Sequence, residues 1–248
     1  MTGALIVTGA ARGIGAATAR MAAARGFSVA VNYAKDADAA EDVVADIRNG
    51  GGEAVAVQAD VSVEADVMRL FATAEHEFGT VGALVNNAGI TGGFARVAEI
   101  SAGALERVFA VNVIGPFLCA REAVRRMSTL RGGAGGAIVN VSSRAARLGG
   151  PGEWVHYAAS KGALDSLTVG LAREVADEGI RVNGVAAGLI DTELHTLAGK
   201  PTRVRDLAPG IPLRRPGTAA EVAEAILWLL SPAASYVTGA ITAVSGGR

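Results

Sequence analysis

Short apolar runs alternate along the chain with stretches of helical period, and this alternation predicts the fold. Leu5, Ile6 and Val7 form a continuous apolar run that ends at Thr8-Gly9, the pattern of a buried strand. The alanine-rich residues 16–25 that follow are helix-prone. Phe27, Val29 and Val31 alternate with Ser28, Ala30 and Asn32 as a second strand. Val43, Val44 and Ile47 mark one face of a helix that stops at Asn49-Gly50-Gly51-Gly52. Val55 and Val57 lie in a third strand ending at Asp60. Val63, Val67, Leu70, Phe71, Ala74 and Phe78 then share one face of an amphipathic helix.

The second half repeats the pattern. A fourth strand, Ala83-Leu84-Val85, runs into Asn86-Asn87-Ala88-Gly89, and Ser101 caps a long helix to about Leu130, kinked at Gly115-Pro116. Residues 137–141 are a fifth strand with Ser142-Ser143 at its end. A helix follows with Leu164, Leu167, Leu171 and Val175 on its apolar stripe, then a sixth strand at 181–186. Residues 189–215 have no clean period and three prolines, which predicts a long functional loop with short helical pieces. Val222, Ile226, Leu229 and Leu230 face inward from a last helix, with Trp228 placed among them, and 240–244 is a seventh strand. Strand and helix in alternation require parallel pairing with right-handed crossovers. The chain therefore reads as one doubly wound α/β domain over 1–248, a seven-stranded parallel sheet with helices on both faces.

Composition narrows this further. A length of 248 residues suits one large domain, and a chain that is 50% hydrophobic but 4% aromatic builds its core from Ala, Val, Leu and Ile. The 33 glycines are scattered, which means tight turns rather than a collagenous or disordered chain. A net charge of −1 gives no footprint for nucleic acid or an anionic membrane. Cys119, the only cysteine, sits among apolar neighbours as a structural thiol, and its isolation fits a reducing, cytoplasmic compartment. Residues 1–7 lack the charged start of a signal peptide, and no apolar run approaches the ~20 residues that span a bilayer. His76, His156 and His195 are too dispersed to suggest a metal site.

Candidate chemistry collects at one edge. In open parallel sheets, ligands bind outside the carboxyl ends of the strands. Those ends carry Gly9, Asn32, Asp60, Asn86, Ser143 and Ala187-Gly188, a polar and glycine-rich edge suited to a nucleotide. Gly9, Gly13 and Gly15 lie between a strand and a helix, where bare backbone can approach a pyrophosphate at a helix N-terminus. Their spacing is Gly-x-x-x-Gly-x-Gly, not the commoner Gly-x-Gly-x-x-Gly. Tyr157 and Lys161, four apart, share a helix face. An ammonium beside a phenol lowers its pKa from about 10 and suits it to general acid–base work.

Taken together, Thr8-Gly9-Ala10-Ala11-Arg12-Gly13-Ile14-Gly15, Asn86-Asn87-Ala88-Gly89, Asn112, Ser143, Tyr157 with Lys161, Arg181-Val182-Asn183, Thr238-Gly239 and Gly246-Gly247 resemble the short-chain dehydrogenase/reductase family over essentially the whole chain. The resemblance implies a Rossmann-like fold and an NAD(P)(H)-dependent oxidoreductase moving hydride between nicotinamide and a small carbonyl or secondary alcohol. It implies that Tyr157 is the acid–base and that Ser143 hydrogen-bonds the same substrate oxygen. Lys161 would bind the nicotinamide ribose, and Asn112 would hold a water in a proton relay. Gly9, Arg12, Gly13, Ile14, Gly15, Asn32, Asp60, Val61, Asn87, Ala88, Gly89, Gly188, Ile190 and Thr192, with Tyr157 and Lys161, would line the cofactor site. Ser142 competes with Ser143, but Ser143 continues the face of Val139 and Val141. Ala187 stands where the family commonly has proline.

The resemblance also implies a homotetramer, pairing helix 108–126 and the Tyr157 helix with their copies and adding an interface at the C-terminal strand. NADP(H) is the favoured cofactor, with NAD(H) possible: Asn32 and Tyr33 end strand two without an acid, while Arg12 and Lys35 supply positive charge. Asp36 falls beyond that strand, where a capping or surface role is expected. Glu153, Trp154, Arg144 and Arg147 stand where the family forms a substrate wall, or else belong to a solvated loop. Two alternatives are a catalytically silent dinucleotide-binding regulator and a sugar-nucleotide epimerase or dehydratase. The intact Tyr157 set argues against the first; length and glycine spacing argue against the second.

Overall fold

Strand follows helix from the first residues onward, and each strand of the main sheet pairs parallel with its neighbours. The computed structural model describes residues 3–248, the side chains of His195 and Leu197 excepted. In chain order the elements are β1 (Ala4–Val7), α1 (Gly13–Ala23), β2 (Ser28–Tyr33), α2 (Ala37–Asn49), β3 (Ala54–Gln58), α3 (Glu64–Phe78) and β4 (Val81–Asn86). Then come α4 (Ala102–Phe109), α5 (Gly115–Met127), β5 (Gly136–Ser143), α6 (Ala145–Leu148), α7 (Val155–Glu174) and β6 (Ile180–Ala187). The chain closes with β7 (Ile190–Asp191), α8 (Leu194–Leu197), α9 (Arg203–Leu207), β8 (Gly217–Thr218), α10 (Ala219–Leu230) and β9 (Ile241–Val244).

The seven-stranded sheet has the order β3-β2-β1-β4-β5-β6-β9. Its order reverses between β1 and β4, which opens a crevice at their carboxyl ends. Successive residues of β1 serve opposite layers. Leu5 and Val7 pack with Val43, Ile47, Val222 and Ile226 from α2 and α10, while Ile6 packs with Leu70, Phe71, Cys119 and Met127 from α3 and α5. The doubly wound single domain is as the sequence pattern indicates.

Four details differ. Val63 is not on the buried face of α3; it is the N-cap and is exposed, because α3 starts one residue later. Trp228 is 43% exposed, since Leu227, Leu229 and Leu230 take the inward positions of α10. The long helix ends at Met127, and its break is a π-helical turn, Ala110–Ile114, just ahead of Gly115-Pro116. A Cβ on Gly115 would lie 2.8 Å from Val61 Cγ2, so glycine lets this helix close onto the segment after β3. Lastly, the helical stretch Ala102–Met127 is, by length and composition, apolar enough to cross a membrane, contrary to the expectation. Here Val108, Cys119, Ala123 and Met127 are buried, and Arg107 and Arg126 pair with Asp60 and Glu75. It is a helix of the layer against the sheet.

Residues 189–215 leave and return through one small sheet: Ile190 pairs with Gly217 and Asp191 with Thr218. The excursion between them, carrying α8 and α9, hangs over the crevice on a fixed base.

Candidate active site

The crevice is a cleft of about 900 Å³ bordered by the ends of β1, β2, β4, β5 and β6. Its floor is the turn from β1 into α1. Gly9 has φ 62°, a conformation that L side chains avoid, and a Cβ on Gly15 would lie 2.4 Å from the Gly9 carbonyl. The helix it feeds has no side-chain cap and no acid in its first turn, so its amides are open to an anion.

Two asparagines hold that turn. Asn32 is 1% exposed; its Oδ1 accepts from the Gly9 amide at 3.1 Å, and its Nδ2 donates to the Ala59 carbonyl at 3.0 Å. Its amide is thus spent on the scaffold. Asn87 Nδ2 donates to the carbonyls of Thr8 and Gly9 at 2.9 and 3.0 Å, while Thr8 Oγ1 accepts from the amides of Asn87 and Ala88. Asp60 lies past the end of β3, where its carboxylate accepts from Ser62 and from Arg107. Burial opposes its ionisation, but those bonds outweigh burial and hold its pKa below the usual value.

Arg12 does not stand free. One end of its guanidinium pairs with Asp36 and the other reaches Glu193 at 3.3 Å. Asp36 also accepts from the Ala39 amide as the N-cap of α2, the role foreseen for it.

Where β5 meets α7, the side chains of the Tyr157 set come together. Ser143 stands beside the Tyr157 phenol and favours its ionised form, whereas Ser142 is buried and donates to the Lys161 carbonyl at 3.4 Å. The pairing of Ser142 with Ala186 and Ser143 with Ala187 makes both serines part of β5, so their side chains point to opposite faces. Burial pushes the Tyr157 phenol above its ordinary value, with the neighbouring Ser143 acting the other way. The depression by Lys161 expected from the spacing is not the dominant effect, because Lys161 Nζ lies 5.8 Å from the Tyr157 ring centroid and donates to the Val141 carbonyl at 2.8 Å. Burial pushes Lys161 down to about 8, against the opposing charge of Asp165.

Asn112 sits fully buried in the π-helical turn. Its Oδ1 accepts from the Ile90 amide, and its Nδ2 donates to the Ile90 carbonyl at 2.8 Å and to Ser160 Oγ at 3.0 Å. It clamps the loop after β4 onto α7. A Cβ on Gly89 would lie 3.4 Å from Asn112 Oδ1 and 3.5 Å from Lys161 Nζ, so these groups converge on one point.

The family model described as "Enoyl-(Acyl carrier protein) reductase" matches residues 9–248. The oxidoreductase YgfF of Escherichia coli (strain K12) is 52% identical over 243 residues, covering 98% of each chain. Glucose 1-dehydrogenase 2 of Bacillus subtilis (strain 168) is 40% identical, covering 98% of this chain and 93% of its own. The chain is a short-chain dehydrogenase/reductase. Among solved structures, a dehydrogenase/reductase from Sinorhizobium meliloti 1021 superposes with a TM-score of 0.91 at 33% identity, covering 100% of this chain and 95% of that one. A blue fluorescent protein from a metagenomic library, in complex with NADPH, superposes with a TM-score of 0.89 at 35% identity, covering 99% and 97%. Members of this oxidoreductase family use a nicotinamide nucleotide and act on small-molecule substrates.

Gly13, Ile14, Val61, Ala88, Gly188, Ile190 and Thr192 also border the cleft of this dehydrogenase/reductase. The Ala187 carbonyl accepts from the Arg144 amide at 2.8 Å, which anchors the end of β6 without proline. Trp154 is 6% exposed and stacks on Phe94 at 4.7 Å, with Tyr157 5.5 Å beyond. Glu153 and Arg144 also line the cleft; Arg147 does not. Phe94, Arg107 and Arg203 were not singled out by the sequence. Two lie in loops or short helices without periodicity, and Arg107 lies on an exposed face of α4.

Proposed function

We propose that the protein is an NADP(H)-preferring oxidoreductase that interconverts a small carbonyl compound and its secondary alcohol, with Tyr157 as the acid–base. The observation that carries this reading is the placement of Ser143, Tyr157 and a buried Lys161 on the wall of one cleft.

The residues present fit the nucleotide. An uncapped helix N-terminus with no acid in its first turn suits a pyrophosphate at Gly13, Ile14 and Gly15. Asp60 and Val61 would meet the adenine, Asn87 to Gly89 and Lys161 the riboses, and Gly188, Ile190 and Thr192 the nicotinamide end. Arg12 would turn from its carboxylate partners to a 2′-phosphate. When bound, the nicotinamide supplies or accepts the hydride.

The chain's own groups handle the proton. Ser143 and Tyr157 hydroxyls would hold one substrate oxygen between them. In reduction Tyr157 donates its proton to that oxygen, and in oxidation it removes one. A charged Lys161 nearby favours the phenolate left behind, offsetting the burial that disfavours it. Asn112 fixes the loop facing Lys161 and would place a water beside its ammonium.

For assembly, the reading is a homotetramer. Phe109, Ile114 and Phe117 are exposed along α4 and α5, and Trp228 and Tyr236 are exposed at another face. The test of the function is nicotinamide absorbance during incubation with a broad panel of ketones and aldehydes. Turnover with NADPH supports the reading, and tight NADPH binding with no turnover of any carbonyl would sink it.

A further inference from the structure

The excursion between β7 and β8 brings a cation into the substrate wall. Arg203 lies on α9 with its guanidinium carbon 4.7 Å from the Trp154 ring and 5.5 Å from the Phe94 ring. Its side chain is 11% exposed and borders the same cleft as Tyr157. Nη1 donates to Glu153 Oε1. Nε, however, is buried without a hydrogen-bond partner among the described residues. Buried donors are nearly always paired, and one on a charged group is especially costly to leave unmade.

We propose that Arg203 is a specificity-determining residue that selects substrates carrying a carboxylate several carbons from the reacting carbonyl. This rests on the oxidoreductase reading above. The Nε and Nη edge of a guanidinium presents two parallel N–H groups that match the two oxygens of a carboxylate. Glu153 engages one nitrogen and leaves Nε to a ligand. The aromatic stack fixes the plane of the fork, so little freedom is lost when an anion docks. Trp154 bridges Arg203 and Tyr157, which keeps the guanidinium carbon within about 10 Å of the Tyr157 ring, close enough for one substrate with a short hydrocarbon spacer to meet both. Leu148 and Leu207 line the cleft and suit that spacer. Charge agrees as well. Glu153 balances Arg203, and Lys200, with Nζ 5.5 Å from the Phe94 ring, leaves this wall net positive.

A simpler role is a clamp: Arg203 and Glu153 tie α9 to the segment before α7 and do nothing else. The two roles separate by experiment. 5-Oxohexanoate and its methyl ester are compared with NADPH on wild type, Arg203→Gln and Arg203→Lys. Wild type should favour the acid by about 10–100-fold in kcat/KM, the range of a hydrogen bond to a charged group. Arg203→Gln should abolish the preference through the KM for the acid while the ester stays within about twofold, and Arg203→Lys should retain part of it. Equal rates for acid and ester on wild type, or an equal loss of both in Arg203→Gln, would overturn the proposal.

A binding readout stands apart from turnover. In a Trp228→Phe background, quenching of Trp154 fluorescence by 5-oxohexanoate should be saturable and lost in Arg203→Gln. Identical quenching curves for the two proteins would refute the carboxylate site even if no carbonyl were reduced. Absence of turnover with every carbonyl, acid or neutral, would instead count against the oxidoreductase reading.

Discussion

Lys161 Nζ donates to the carbonyl of Val141 at 2.8 Å, two residues before Ser143 on the same strand. The bond ties the ammonium of α7 to the strand that presents the serine.

That position costs stability. Burial pushes Lys161 from 10.5 to about 8. The unfolded state therefore binds more protons between these values, and stability rises with pH through that window. The shift corresponds to about 3 kcal/mol of strain below pH 8, offset by about 1 kcal/mol for the Val141 bond. Lys161→Met is expected to be inactive yet more stable than wild type at pH 7 by about 1–2 kcal/mol. Its advantage should shrink toward pH 10.5. Urea denaturation at pH 7 and pH 10 checks this, and a less stable Lys161→Met at pH 7 would contradict it.

The proposed preference for NADP(H) rests on Arg12. Arg12→Ala is expected to raise the KM for NADPH markedly while leaving NADH nearly unchanged. Because Glu193 occupies one end of this guanidinium, Glu193→Gln should improve kcat/KM for NADPH, by no more than about fivefold for an exposed ion pair. Steady-state kinetics with both cofactors decides it. An equal effect of Arg12→Ala on both would remove Arg12 from 2′-phosphate recognition.

Assembly has its own test. Light scattering at micromolar concentration should report a tetramer, and Phe117→Asp should give a smaller species, since Phe117 is 52% exposed on α5. A wild-type monomer would contradict the assembly.

The sequence carried the sheet well because the signal is local. Short continuous apolar runs closed by glycine, such as Leu5–Val7, read as strands buried on both faces, and glycine at positions 9, 13 and 15 punctuates the turn where the backbone demands it. The preference for Ser143 over Ser142 rested on strand alternation together with the family resemblance. What escaped depends on contacts across the fold. Nothing near Arg12 in sequence announces Glu193, and the partners of Asn32 come from β3 and the glycine turn. Phe94 and Arg203 lie far apart in the chain and meet only when the β7–β8 excursion folds over the cleft. Trp228 misled because its neighbours are apolar on every side of it in sequence, although the helix turns it outward.

Tyr157→Phe tests the account most directly. The substitution keeps the ring that packs against Trp154 and removes only the hydroxyl beside Ser143. Turnover of an accepted carbonyl with NADPH should fall by about 10²–10⁴-fold, the usual contribution of a general acid, with NADPH affinity largely kept. A variant retaining more than about a tenth of the wild-type rate would show that Tyr157 is not the acid–base.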